Sequence, residues 1–68
     1  MTLQQIIESK GMTAREVSKR SGVSRRTITR YAHAKEGHQP HYSNVEAIAE
    51  VLGMQPRNLW LIIAGLEG

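Results

Sequence analysis

Helix punctuation recurs along this 68-residue chain, and it constrains the fold more than any other feature. Thr2-x-x-Gln5, Thr13-x-x-Glu16 and Ser43-x-x-Glu46 each have the form of a capping box. In that motif a hydroxyl accepts from the amide three residues on, and the acid or amide side chain reaches back. Ser24 is a further N-cap residue. Pro56 suits the first turn of a last helix, where its missing N–H is not needed. Gly11, Gly22, Gly37, Gly53 and Gly65 stand where a chain leaves a helix in the left-handed conformation. Together these marks predict five helices, at about 2–10, 13–21, 24–34, 43–52 and 56–64. The apolar residues agree. Leu3, Ile6 and Ile7 form a helical stripe, as do Val45, Ile48, Ala49 and Leu52, while Ile28, Tyr31 and Ala32 share one face of the third helix. No stretch alternates as a strand between hairpin signals, so the expected fold is all-α, a compact five-helix arrangement.

A chain this short is expected to make a single domain over 1–68, near the lower limit of what one core stabilises, so dimerisation or a bound partner would add to its stability. With no Phe, one Trp and two Tyr, the core must come from Leu, Ile, Val, Met and Ala. The absence of cysteine excludes a disulfide framework and cysteine-ligated zinc, and it fits a reducing, cytoplasmic setting. Met1 leads into a polar helical pattern, with no sign of a signal peptide. The longest apolar run, Leu59 to Ala64, is far too short to span a membrane. An enzyme is not expected: there is no acid–base cluster, no phosphate-cradling glycine loop and too little chain to enclose a pocket, and no cofactor is implied.

Charge is distributed unevenly. Eight of the nine Lys and Arg lie between Lys10 and Lys35, so the first 38 residues carry a net +5 and the remainder −2. Such asymmetry suits one polyanion-facing side, although charge alone does not separate that from a solvated basic surface. The placement of the arginines says more. Arg25 and Arg26 open the third helix, where the helix dipole favours acids. Arg30 follows Arg26 by four residues, which puts two like charges on one face. Broken local rules of this kind gather at functional sites. With Ile28 pointing inward and about 100° per residue, Arg26 and Arg30 point almost directly outward with His33 beside them, and Thr27 and Thr29 lie on the shoulders. Arg25 is intermediate, but from the first turn its long side chain can swing outward. A helix fits the major groove of B-DNA, and a guanidinium can bond both acceptors of a guanine edge.

The segment VSKRSGVSRRTITRY resembles the helix-turn-helix of the Cro/C1 repressor type, the lambda-repressor-like or XRE family of bacterial and phage regulators. Val17, Gly22, Val23 and Ile28 match its buried and turn positions, and Ser24 its capping residue. Val45-x-x-Ile48-Ala49-x-x-Leu52-Gly53 and Gln55-Pro56-x-x-Leu59 resemble its fourth and fifth helices, so the likeness covers about residues 2–64. It implies a lambda-repressor-like fold in which helices 2 and 3 form the helix-turn-helix. It also implies a sequence-specific, double-stranded DNA-binding transcriptional regulator, a repressor. By position, base contacts are expected from Arg25, Arg26 and Arg30, with Thr29 on the same face. Phosphate contacts are expected from Thr13 and Arg15, from Ser24, from Lys35, His38 and Gln39, and from Ser43 and Asn44 at a helix N-terminus. Three departures stand out. Ala14 replaces a Gln that often opens the family's second helix. Ser18 replaces a small packed residue, commonly Ala, and its hydroxyl is expected to bond a carbonyl one turn back. Set beside the family it resembles, the connection from Ile28 to Ile48 and Ala49 is about two residues longer than the usual spacing.

His33, His38 and His41 do not make a metal site: Pro40 lies between the last two, and Glu36 is the only nearby acid. The last helix is apolar all round, whereas a surface helix normally keeps a polar face. Trp60, Leu61 and Ile63 are therefore expected to form a self-association surface. A homodimer would present two recognition helices about 34 Å apart to a pseudo-palindromic operator. The alternative is a protein-interaction module of the same fold, an antitoxin or antirepressor, acting through this helix.

Overall fold

The computed structural model describes residues 2–33 and 40–65. They form α1 (Leu3–Ser9), α2 (Ala14–Ser21), α3 (Arg25–Ala32), α4 (Tyr42–Leu52) and α5 (Pro56–Ile63), with no strand among the described residues. The all-α, five-helix expectation holds, and each helix begins near its predicted signal. None is long and apolar enough to cross a membrane.

The three predicted capping boxes meet different fates. At α1 the box closes fully: the Thr2 hydroxyl accepts from the Gln5 amide at 3.2 Å, and the Gln5 side chain accepts from the Thr2 amide at 2.9 Å. At α2 only half of it forms. The Thr13 hydroxyl accepts from the Glu16 amide at 3.2 Å, but the Glu16 carboxylate turns one helical turn on to Arg20, at 2.9 Å. A charged partner four residues along competes well against a neutral amide. The third box is absent. The N-cap of α4 is His41, with no side-chain cap bond, and Ser43 lies inside the first turn. The reason is that this helix start is set from outside. The His41 amide donates to the Tyr31 hydroxyl at 3.1 Å, while the His41 carbonyl takes the amides of Asn44 and Val45. Helix α3 ends at Ala32 with His33 as its C-cap, earlier than predicted, and the expected continuation to 34 and the exit at Gly37 lie outside the described residues.

Leu3, Ile7, Val17, Ile28, Val45, Ile48 and Leu59 are completely enclosed, and among the described residues nothing polar or charged is buried with them. Helix α2 is the hub: it packs on both α3 and α4, α4 packs on α5, and α1 lies against α2, α3 and α5. The backbones of α3 and α4 do not run close together, although both helices send side chains into the same core. The consequence is a helix held mainly from one side, with its other side facing out.

Candidate nucleic-acid interface

The turn before α3 is built by four adjacent residues. Gly22 has φ +79°, and its amide bonds the Ser18 carbonyl at 3.0 Å. A side chain at that φ crowds the following carbonyl, which is why glycine serves here. Val23 inserts into the core, and its amide donates to the Ser21 hydroxyl at 3.1 Å. Its carbonyl accepts from the Ser18 hydroxyl at 2.6 Å. That corrects the expectation that Ser18 bonds backward within α2. The helical carbonyls behind it already have amide partners, whereas the turn brings an unclaimed one within reach. Ser24 caps α3 by accepting from the Thr27 amide at 3.2 Å, and its hydroxyl donates to Thr27 Oγ1 at 2.8 Å. The amides of Arg25 and Arg26 have no partner among the described residues.

Beyond this turn, Arg25, Arg26, Thr29 and Arg30 are all exposed, and Ile28, Tyr31 and Ala32 are buried, as the helical phase requires. None of the three arginines forms an ion pair or side-chain hydrogen bond with a described residue. Because α3 is short, Arg30 falls in its last turn, where the dipole favours a cation. The local electrostatic penalty therefore sits on Arg25 and Arg26, in a first turn with no acid. An anion placed there would meet free amides and guanidinium groups together.

The exposed face of α2 adds to the basic surface. Thr13, Arg15, Glu16, Lys19 and Arg20 line a shallow open groove. Thr13 keeps its hydroxyl proton for a further acceptor while its oxygen caps the helix, and Arg15 is exposed and unpaired among the described residues. Other expected positions are more committed. The Ser24 hydroxyl is used by the cap, and the Asn44 amide donates to the Tyr31 hydroxyl at 3.3 Å, whereas Ser43 is exposed on the first turn of α4. Lys35, His38 and Gln39 lie outside the described residues.

On α5 the expected outer surface shrinks. Ile63 is 2% exposed and belongs to the core, because the helix turns it inward together with Leu59. It is not available to a partner. Trp60 and Leu61 are half-buried, and Trp60 packs against the core cluster. The large exposed apolar residue among those described is Tyr42, at the start of α4. Sequence reasoning missed the Tyr31 hydroxyl as a structural tie. The available signal was the residue type: a buried tyrosine brings a hydroxyl that needs a partner.

Neither a curated protein nor a solved structure matches the chain closely enough to count as a relative. A family model described as helix-turn-helix matches residues 3–59, which spans all of α1 to α4 and the start of α5. The chain thus belongs to the Cro/C1-type helix-turn-helix family and is a DNA-binding domain.

Proposed function

We propose that this protein is a sequence-specific regulator of transcription, a repressor, that lays α3 in the major groove of double-stranded DNA. The observation that carries the reading is the set of exposed guanidinium groups of Arg25, Arg26 and Arg30, unpaired among the described residues, on the helix the turn holds outward. Arg26 and Arg30 read base edges, Arg25 reaches the first turn's end of the site, and Thr29 contributes from the same face. Thr13 and Arg15 on α2, the start of α3 at Ser24, and Ser43 and Asn44 on α4 contact phosphate and set the register. A second copy, joined through Trp60 and Leu61, would supply the other half-site of a pseudo-palindromic operator. The competing role as an interaction module would use the same Trp60 and Leu61, and the burial of Ile63 and Ala64 narrows that surface for either role.

Selection of random duplex DNA on the purified protein tests this, followed by a salt titration of the winner against scrambled DNA. The expected result is a palindromic winner that outcompetes scrambled DNA by at least about a thousandfold. Equal affinity for both sequences would remove the sequence-specific reading. Analytical ultracentrifugation with and without the winning duplex checks the dimer; one protein chain per duplex at all concentrations would exclude it.

A further inference from the structure

Tyr31 is 5% exposed, with its ring in the core and its hydroxyl at the half-buried rim where α4 begins. That hydroxyl accepts from the His41 amide at 3.1 Å and from the Asn44 side-chain amide at 3.3 Å. The two bonds reach across ten and thirteen residues of sequence. They join the inner side of α3 to the N-terminus of α4, two elements whose backbones do not run close together and which both pack on α2. The same α4 terminus carries exposed His41, Tyr42 and Ser43. An α4 start without a side-chain cap of its own is thus fixed by a hydroxyl that belongs to the outward-facing helix.

We propose that Tyr31 is a positioning residue for DNA recognition. It holds the start of α4 at the distance from the α3 outer face at which one duplex meets both, and it does so without touching DNA. The inference rests on the DNA-binding reading above. A hydrogen bond to phosphate needs a donor–acceptor distance of about 2.7–3.2 Å and is lost by about 3.6 Å, so a loose α4 start forfeits its contacts first. The arginines of α3, a helix seated by the buried Ile28 and preceded by the buried Val23 of the turn, should be unaffected by the same loosening.

Tyr31→Phe isolates the role, because the ring stays in the core and only the hydroxyl is removed. The folded variant should lose about five- to tenfold in affinity for the selected duplex, the scale of one or two hydrogen bonds. Its base preference should stay that of the wild type. The decisive readout comes from duplexes in which single phosphates are replaced by neutral methylphosphonate. One or two positions that matter for the wild type should cease to matter for the variant. A purely structural role would lower the melting temperature and leave that profile unchanged, and an unchanged profile overturns the proposal. Amide exchange at His41 reads the tie without DNA: it should accelerate in the variant, and equal rates in both proteins also overturn it. A wild type that prefers no duplex removes the DNA-binding reading itself. A wild-type profile that the variant copies removes only the part played by Tyr31.

Discussion

The two junctions on either side of α3 are built in opposite ways. Upstream, residues 18–27 form a dense local network. Gly22 turns the chain, Ser18 and Ser21 secure Val23, and Ser24 caps the helix, all through bonds between near neighbours. Downstream, a single hydroxyl links Tyr31 to residues ten and thirteen positions away. Local bonds form with little loss of chain entropy, whereas a long-range tie must be secured by the assembled core. The upstream junction therefore determines whether α3 stands outward at all, and the downstream one determines what stands beside it.

That contrast can be broken or sharpened by substitution, and the largest effect belongs to the residue on which both junctions depend. Ile28→Ala empties a completely enclosed site and should destabilise the fold by about 2–5 kcal/mol. For a domain of this size that is a large share of the total, on the order of 5 kcal/mol. Chemical denaturation measures it, and a loss below 1 kcal/mol would mean that α3 is not seated as described. Arg26→Ala should do the reverse. It should weaken binding to the selected duplex by about 1–3 kcal/mol and relax preference at one base pair, with the denaturation midpoint unchanged. A uniform loss across all sequences would move Arg26 from base reading to phosphate contact.

Smaller effects probe the upstream turn. A Cβ on Gly22 would meet no atom within 4 Å, so the cost of Gly22→Ala is backbone strain alone, about 1–2 kcal/mol of stability. A thermal scan showing no loss would contradict the left-handed turn. Ser18→Ala removes the bond to the Val23 carbonyl and should lower stability by about 0.5–1.5 kcal/mol. Because Ala is common at this position in the family, the variant should still bind DNA, and lost binding in a folded Ser18→Ala protein would show the turn to be more sensitive than proposed. The least effect belongs to Glu16→Gln. It breaks an exposed pair with Arg20 and should shift the melting temperature by no more than a few tenths of a kcal/mol allows. It also frees a cation on the α2 face, so non-specific DNA binding at low salt should tighten slightly. A weaker variant would place Glu16 in a bracing role.

The same contrast explains what could be read from the sequence. The upstream junction was legible because its determinants are local: a hydroxyl before a helix, a glycine after one, and apolar residues in helical phase. Ile28, Tyr31 and Ala32 on one side and Arg26 and Arg30 on the other followed from periodicity alone. Ser43 misled for the same reason. It matches the local rule for a cap, but the start of α4 is tied by a bond from the His41 amide to the Tyr31 hydroxyl that no local pattern encodes. Ile63 misled because composition marks a helix as apolar all round without saying which residues the core takes; burial assigned it inward with Leu59. Glu16 had two partners available at helical spacing, and only the folded geometry chose Arg20 over the cap.

One consequence concerns how such a protein can change. The side chains of Arg25, Arg26, Thr29 and Arg30 are exposed, and among the described residues no side-chain cap and no ion pair depends on them. The turn, the cap and the buried face are carried by other residues on the same short helix. Mutation at the four outward positions should therefore carry little structural penalty, and on the proposed reading a lineage could drift from one DNA target to another without passing through an unfolded intermediate. If these four side chains read bases, as proposed, the residues that build are separate from the residues that read, and the address is rewritable.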